Sequence, residues 1–291
     1  MKKTFKKNVF LKDYTTIQIG GPAKYFYEIF TLEDLQKVFL FIEKEKMKYF
    51  LLGKGSNCLF DDRGFNGLVL LNKIDFCSFS KNICYVGGGY SLSLLEKELE
   101  KRKFSGLEFA KGIPATVGGA VYMNAGGFNQ NISDHLKEVI FITEQGKKEI
   151  IKKEKIVFGY RFSSLQKKKG AIAACTFSFP RKLKEGKERT NLFWEKRKIS
   201  QPLSKKSAGC IFKNTKKKSA GKIIEQCGLK DKRKGGAVIS SLHANFILNE
   251  KKATAQNILS LISLIQKKVF EKTGIHLEKE ICYIPFDGED K

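Results

Sequence analysis

The chain has 291 residues, 42% of them hydrophobic, so it can bury a core, is not wholly disordered and is long enough for two or three domains. Lysine and arginine number 55 against 30 acidic residues, a net charge of +25 that is spread along the whole chain. A nucleic-acid-binding protein usually concentrates its basic residues in a stripe or tail, so we favour a generally lysine-rich surface that would still attract anionic small molecules such as nucleotides.

Segments for export, membrane insertion and metal binding are not predicted. No apolar run approaches the roughly 18 residues of a membrane-spanning helix. The positive start resembles that of a signal peptide, but Lys6, Lys7, Lys12 and Asp13 interrupt any apolar core. The seven cysteines are odd in number and never spaced C-x-x-C, which indicates neither a zinc site nor a disulfide framework. We expect a cytoplasmic protein that binds no metal, membrane or nucleic acid.

The predicted elements begin with a β-α-β unit. Residues 15–30 predict two short strands around a Gly20-Gly21-Pro22 turn, and Thr31 is placed to cap a helix that runs to about Lys46. The apolar face of this helix consists of Leu35, Val38, Phe39 and Ile42. The further elements are a buried strand at 49–52, strands at 68–71 and 83–86, a helix capped by Ser91 or Ser93 with Leu92, Leu95 and Leu99 on one side, strands at 138–142, 148–151 and 171–179, a charged helix within 181–200, a helix at 219–227, strands at 237–241 and 245–248, a helix from Thr254 to Gly274, and a terminal strand over 275–284.

Two glycine-rich segments suggest nucleotide binding. The first, Gly53-Lys54-Gly55-Ser56-Asn57, follows a predicted strand and could bring backbone N–H groups against a phosphate. It matches neither a P-loop nor a G-x-G-x-x-G motif, and a plain hairpin turn explains it equally well. The second, at 112–127, has five glycines and three alanines, so we expect neither helix nor strand there. It would suit backbone packed against a flat ring and a diphosphate, or a tight structural loop. Together they favour a dinucleotide.

Three further places could carry chemistry. Arg161, after a strand-like run, could hold a carboxylate or lie on the surface. Cys210 lies among small residues, where a buried structural thiol is the ordinary explanation. Alternation on the terminal strand places His276, Glu278, Glu280 and Cys282 on one face, either solvated or lining a site, and Ile275, Leu277 and Ile281 on the other.

The order of motifs resembles that of one enzyme family. TTIQIGGPA, GKGSN, GLEFAKGIPATVGGAVYMNAGG, FGYRFSS, SAGCIFKN, AGKIIEQCGLK, HANFILN and GIHLEKE follow one another as in the UDP-N-acetylenolpyruvoylglucosamine reductase family, over about residues 14–284. The resemblance implies an α+β fold: a vanillyl-alcohol-oxidase/PCMH-type FAD-binding domain with two α/β subdomains, then a smaller α+β substrate domain. It implies non-covalent FAD, NADPH as hydride donor, and a role in peptidoglycan precursor synthesis.

The same resemblance implies the site residues and the domain division. Arg161, Cys210 and Glu280 match the catalytic positions, and Asn214 and Tyr160 are candidate substrate contacts. We expect domains at 1–180 (subdomains about 1–75 and 76–180) and 201–291, joined by 181–200, in a monomer. The cofactor-binding candidates are Gly53, Lys54, Gly55, Ser56, Asn57, Gly112, Ile113, Pro114, Thr116, Gly118, Gly119, Asn124, Ala125, Gly126 and Ile132.

The chain departs from the family pattern in a few places. Cys210 stands where serine is most common, and a thiol, being more acidic than an alcohol, could serve as the proton donor. Ala115 replaces a usual glycine and Thr215 a usual proline. The interval between the Arg161 and Cys210 motifs is short, as in the family type without a substrate-covering tyrosine loop. The basic loop 230–234 could contact the UDP part or be merely solvated.

Two rival functions make different predictions. An FAD oxidase of the same fold would produce hydrogen peroxide and would not need Arg161, Cys210 and Glu280 together. A basic nucleic-acid-binding protein would be colourless and would bind duplexes with an affinity that falls steeply with salt.

Overall fold

A computed structural model describes residues 5–181, 185–216 and 218–286. The chain divides into two compact units. The first unit comprises Met1–Phe26, Lys54–Leu68 and Lys198–Lys291, and the second comprises Tyr27–Gly53 and Val69–Arg197. The domain boundaries expected at 180 and 200 stay a prediction.

The structure has mixed α and β elements in both units. The helices are α1 (Leu32–Glu45), α2 (Leu92–Lys101), α3 (Val117–Tyr122), α4 (Glu185–Ser200), α5 (Ala220–Gln226) and α6 (Ala255–Thr273). The strands are β1 (Lys6–Phe10), β2 (Pro22–Ile29), β3 (Tyr49–Leu52), β4 (Cys58–Phe60), β5 (Phe65–Asn72), β6 (Cys77–Ser80), β7 (Ile83–Gly87), β8 (Gly126–Gly127), β9 (Gln130–Asn131), β10 (Leu136–Thr143), β11 (Lys148–Lys152), β12 (Phe158–Gly159), β13 (Phe162–Ser163), β14 (Gly170–Ser178), β15 (Arg233–Lys234), β16 (Ala237–Ile239), β17 (Ile247–Asn249) and β18 (Cys282–Ile284).

The second unit is built on a five-stranded antiparallel sheet. Its strand order is β11-β10-β14-β7-β6, and Val139 of β10 lies opposite Cys175 of β14. The predicted apolar side of α2 is buried, with Leu92, Leu95 and Leu99 packed in one core with residues of β7, β10 and β14. Helix α3 contributes Val117, Ala120 and Val121 to this core, which places the second glycine-rich segment directly on it.

Helix α1 forms as its sequence predicts. The Thr31 side chain accepts a hydrogen bond from Asp34 N at 3.0 Å, so it caps the first turn. The helix buries the expected Leu35, Val38, Phe39 and Ile42. By contrast, the hydroxyl of Ser91 makes no capping bond to α2 and instead lies 3.2 Å from that of Ser93.

In the first unit, α6 is the main core helix. Thr254 and Asn257 form a reciprocal capping box at its start, and Gly274 ends it in the left-handed conformation at φ +68°. The predicted residues Ile258, Leu261, Ile262, Ile265 and Val269 are buried against α5 and the β15-β16-β17 sheet. Strand β18 pairs in parallel with β4, so that Cys282 lies opposite Cys58.

The remaining predicted strands are found with ends shifted by up to three residues, but three local expectations are wrong. Residues 15–19 do not form a strand, because Gln18 is left-handed at φ +54° and Thr15 Oγ1 donates to Ile19 O. Instead, β1 pairs with β2. The terminal strand spans only Cys282–Ile284, although Leu277 and Ile281 are buried as the alternation predicts. The segment at 112–127 contains a helix, α3.

No helix in the described ranges has the length and apolar character required to span a lipid bilayer.

Candidate active site

The loop after β3 presents unused backbone donors. Within residues 5–181, 185–216 and 218–286, the N–H groups of Lys54, Gly55, Ser56 and Asn57 donate no hydrogen bond to the chain. Gly55 adopts φ +61°, and a Cβ there would lie 2.1 Å from Tyr14 O. Thr16 N donates to Gly55 O at 3.2 Å, which fixes the turn from the other side. Consecutive unbonded N–H groups around a left-handed residue form a concavity that binds anions.

This loop is tied to the segments that carry two of the candidate catalytic residues. Asn57 Nδ2 donates to Glu280 O at 3.0 Å, and Cys282 N donates to Asn57 O at 2.9 Å. Glu280 N in turn donates to Ile211 O at 2.8 Å, next to Cys210. The anion-binding loop, Glu280 and the Cys210 segment are therefore neighbours within the first unit.

Cys210 is half-buried at the edge of an apolar cluster formed by Val238, Phe246 and Leu248. Asn245 holds the adjoining backbone, since its Oδ1 accepts from Phe212 N at 2.9 Å and its Nδ2 donates to Phe212 O at 2.8 Å. This buried amide fixes the segment that carries Cys210. The sequence shows Asn245 only as one residue of HANFILN, with no pattern that indicates this contact.

Two other thiols lie near the same segments. Burial and the neighbouring Cys282 raise the pKa of Cys58 well above its usual value. Burial also raises the pKa of Cys282. A raised pKa keeps a thiol protonated at neutral pH, so neither group is set up as a thiolate nucleophile.

The candidate UDP contacts also have structural partners. Asn214 Oδ1 accepts from Ala220 N at 2.9 Å, at the start of α5. In the basic loop 230–234, Lys230 pairs with Glu225 and Arg233 pairs with Glu250. These pairs are exposed and contribute little to stability.

In the second unit, the donors at the start of α3 are already used. Thr116 Oγ1 accepts from Gly119 N at 3.2 Å, Val117 N donates to Tyr90 O at 2.9 Å, and Gly118 N donates to Gly88 O at 2.8 Å. A Cβ on Gly53 would lie 2.7 Å from Thr116 Oγ1, so glycine is needed there for close packing. Of the two glycine-rich segments, the Lys54–Asn57 loop therefore has the longer run of N–H groups that meet no acceptor in the described residues, and these groups could bind a phosphate.

Most of the other cofactor-binding candidates near this segment contact other residues of the second unit. Gly112 is left-handed at φ +76°, and a Cβ there would lie 2.2 Å from the Trp194 ring of α4. Arg197, which is only 8% exposed, donates to Phe109 O at 2.8 Å and to Lys111 O at 2.5 Å. Ile132 is fully buried in the core, where it donates its N–H to Ala125 O, and Ile113 packs against the same core; Pro114 has no described hydrogen bond to the chain.

Asn124 has an acceptor atom without a partner. Its backbone is left-handed at φ +44°, and its Nδ2 donates to Gly159 O at 2.9 Å. Its Oδ1 is buried and finds no hydrogen-bond partner in the described residues. A buried carbonyl oxygen without a donor costs free energy, which a bound donor group would recover.

Arg161 lies in the two-residue loop between β12 and β13, with φ +54°. Its Nη1 donates to Gly126 O at 3.4 Å, and its guanidinium lies 5.0 Å from the centre of the Tyr160 ring. Two side chains that the sequence analysis did not single out hold this loop. Ser163 Oγ donates to Tyr122 O at 2.7 Å, and Gln166 contacts the same carbonyl.

Among the described residues, no group of three or more His, Cys, Asp or Glu side chains is placed to hold a metal ion.

Comparisons with known proteins agree with this arrangement. Residues 23–151 match the FAD binding domain family, and residues 201–284 match the C-terminal domain of UDP-N-acetylenolpyruvoylglucosamine reductase. The chain is 49% identical to the UDP-N-acetylenolpyruvoylglucosamine reductase of Protochlamydia amoebophila over 284 residues, covering 97% of this chain and 95% of the relative. It is 44% identical over 282 residues to the reductase of the same name from Chlamydia muridarum, covering 97% of this chain and 95% of that one.

A solved structure is similar along its whole length. The crystal structure of the Thermus caldophilus UDP-N-acetylenolpyruvylglucosamine reductase is 36% identical, with a TM-score of 0.84, and the match covers 97% of this chain and 100% of that one. The expected α+β fold, with an FAD-binding domain followed by a C-terminal reductase domain, is thereby confirmed, and the vanillyl-alcohol-oxidase/PCMH type of the first domain stays a prediction. The chain belongs to the UDP-N-acetylenolpyruvoylglucosamine reductase family.

Proposed function

We propose that this protein reduces the enolpyruvyl ether of UDP-N-acetylglucosamine-enolpyruvate to the lactyl ether of UDP-N-acetylmuramate, a step of peptidoglycan precursor synthesis. The names and high identity of its relatives support this activity. The observation that carries the proposal is the Lys54–Asn57 loop, with four unused N–H groups and a direct bond from Asn57 to Glu280. An anion-binding loop adjoining the candidate catalytic segments is what a nucleotide cofactor beside a reacting centre requires.

The residues present fit FAD. The N–H groups of Lys54–Asn57 would bind its diphosphate, and the left-handed Gly55 lets them converge. The buried Oδ1 of Asn124 would accept a hydrogen bond from the cofactor, which accounts for an otherwise unsatisfied atom. Gly53 and Thr116 pack closely against each other within the second unit, and we propose that FAD is bound non-covalently. When bound there, FAD would supply hydride transfer from NADPH to the methylene carbon of the substrate.

Arg161 would stabilise the charge that this addition creates. Negative charge develops on the carbon next to the substrate carboxylate and spreads into the carboxylate oxygens. A guanidinium already fixed in place lowers the barrier because it needs no reorganisation as the charge forms. The bond from Arg161 Nη1 to Gly126 O and the contact with the Tyr160 ring restrict its orientation. We also assign Tyr160 and Asn214 to substrate binding.

Cys210 would then donate the proton that completes the reduction. The Sγ–H bond breaks, the proton forms a C–H bond at the carbon that carries the negative charge, and solvent later reprotonates the thiolate. A thiol, with an ordinary pKa of about 8.5, is protonated at neutral pH and still more acidic than a serine hydroxyl. Cys210 packs against the apolar residues Val238, Phe246 and Leu248, and an apolar contact favours the neutral thiol over the thiolate before the reaction.

Glu280 would help to hold the charged intermediate by hydrogen bonding. Its backbone is anchored on both sides, by Asn57 Nδ2 at its carbonyl and by Ile211 O at its N–H. A carboxyl group next to developing negative charge stabilises it only as a proton donor or as part of a pair. Glu280 would therefore act either in its protonated form or as one member of a pair. We further propose that the protein acts as a cytoplasmic monomer.

The decisive experiment separates the two half-reactions. Without oxygen, NADPH should bleach the yellow flavin, and UDP-N-acetylglucosamine-enolpyruvate should restore its colour. Cys210→Ala should leave the bleaching unchanged and abolish product formation, whereas Cys210→Ser should stay active. Cys282→Ala, which removes a different thiol, on β18, is the matched control and should stay active.

Each contrary result identifies a different error. A Cys210→Ala protein that turns over substrate normally would refute the assignment of the acid. If the protein is yellow, does not react with the substrate and produces hydrogen peroxide, it is an oxidase of the same fold. A colourless protein that binds nucleic acid duplexes would remove the flavin function altogether.

A further inference from the structure

The backbone of Arg161 is held in an unfavourable conformation. Its φ of +54° lies in the left-handed region, which is unfavourable for a residue with a Cβ. The residue belongs to a two-residue loop, flanked by the single antiparallel pairs Phe158–Ser163 and Gly159–Phe162. Such a short hairpin cannot by itself fix a strained residue, so surrounding groups must hold it.

Gln166 supplies one of these contacts. Its Nε2 donates to Tyr122 O at 2.8 Å and to Arg161 O at 3.3 Å, and it lies 3.7 Å from Met123 Sδ. All three partners are acceptors, so the NH₂ side of the amide must face them, and the oxygen must point away. A single half-buried side chain therefore links the loop that carries Arg161 to the end of α3.

The other contacts of this loop bind its flanks. Ser163 Oγ donates to Tyr122 O, which Gln166 also contacts, and Asn124 Nδ2 donates to Gly159 O. Gln166 differs from both because it bonds to the carbonyl of Arg161 itself. Rotation of that peptide group would change ψ of Arg161 and φ of Phe162, and with them the direction in which the Arg161 side chain leaves the backbone.

We propose that Gln166 is a positioning residue that fixes the peptide group of Arg161, and thereby the direction of its guanidinium, for the reaction. This inference rests on the proposed function. It adds a residue that touches neither cofactor nor substrate and acts only through Arg161. A small displacement of a charge that stabilises a transition state lowers the rate of the chemical step much more than it weakens substrate binding.

The test uses the full-length, FAD-loaded protein and the two anaerobic half-reactions. Gln166→Ala should slow reoxidation of the reduced flavin by the enolpyruvyl substrate about tenfold. The loss should lie mainly in the rate constant at saturating substrate, and little in the substrate concentration needed for half of that rate. The substitution should leave bleaching by NADPH and the FAD content unchanged. Gln36→Ala is the matched control, because Gln36 is also half-buried and also donates its Nε2 to a carbonyl, Gly146 O, at 2.8 Å. This control should change neither half-reaction.

A double-mutant cycle separates positioning from a general structural role. In the Arg161→Ala background, Gln166→Ala should cost no further rate, since the group it positions is gone. Gln166→Lys, which keeps donors towards the three acceptors, should restore most of the lost rate. An additive loss in the cycle, or equal loss of FAD and of both half-reactions, would overturn the inference. If Arg161→Ala itself leaves reoxidation unchanged, the proposed role of Arg161 fails, independently of Gln166.

Discussion

Gly55 offers the sharpest test of the anion-binding loop. Gly55→Ala places a Cβ where only a glycine hydrogen now lies, 2.1 Å from Tyr14 O, and it does so at φ +61°. The left-handed conformation alone costs alanine about 1 kcal/mol. The overlap adds more, because the backbone of Tyr14 must move and the bond from Thr16 N to Gly55 O weakens. With about 1 kcal/mol for that bond and a similar amount for the displaced packing, we expect a loss of roughly 3 kcal/mol.

The control is a glycine with the same backbone strain and open surroundings. Gly228, after α5, has φ +73°, and nothing lies within 4 Å of a Cβ built there. Gly228→Ala should therefore cost only about 1 kcal/mol. Urea unfolding of the flavin-free proteins, followed by circular dichroism, gives the two losses without a contribution from ligand binding.

Flavin titration of the same two variants tests the function of the loop. Displacing Gly55 should also misalign the N–H groups of Lys54–Asn57 and weaken FAD binding, whereas Gly228→Ala should bind FAD like the unchanged protein. Equal unfolding midpoints and equal FAD affinities for the two variants would refute both the packing argument and the assignment of the diphosphate site.

Two further predictions concern single polar groups. Asn124→Ala removes the buried acceptor Oδ1 and the hydrogen bond to Gly159 O. The dissociation constant for FAD, measured by flavin fluorescence, should therefore rise about tenfold. An unchanged constant would contradict the role of Oδ1. Asp61 accepts hydrogen bonds from Arg63 and Tyr283, and the Arg63 contact in particular lowers the pKa of Asp61 from 3.8 to about 2. The stabilising contribution of the Asp61 carboxylate is therefore present above pH 3.8 and is lost as the pH falls through about 2. Asp61→Asn should lower the urea midpoint at neutral pH and should make that midpoint depend less on pH in acid. Parallel pH profiles for the two proteins would contradict this.

Elements with local signals were predictable. Helix α1 has Thr31 as its cap and four apolar residues at helical spacing, and α6 has Thr254 at its start and Gly274 at its end. In both, capping groups and the buried face lie within a few residues of each other in the sequence. The free energy that selects these helices is expressed locally, so composition and periodicity were sufficient.

Elements whose partners lie far along the chain were not predictable in the same way. Strand β18, for example, depends on pairing with β4, more than 200 residues away. The pattern over 275–284 correctly indicates which side chains are buried, but only Cys282–Ile284 has a strand partner. The spacing of apolar residues in a segment determines which side chains are buried. Whether the segment forms a strand depends on which backbone hydrogen-bonding groups the fold places beside it.

The candidate site likewise contains features that the sequence indicates and features that only the tertiary structure reveals. Motif order alone identified the family, the FAD-binding domain and the reductase activity, since side chains that do chemistry recur at recognisable spacings; the individual site residues stay a prediction. Gln166, Asn245 and Arg197 carry no such pattern, because their hydrogen bonds go to backbone groups that do not depend on residue type. Only the tertiary structure decided which glycine loop keeps its N–H groups unused: α3 bonds its first donors to Gly88, Tyr90 and Thr116, whereas the Lys54–Asn57 loop meets no acceptor in the described chain. A donor becomes available to a ligand only when folding brings no carbonyl to it, and the sequence of a loop does not contain that information.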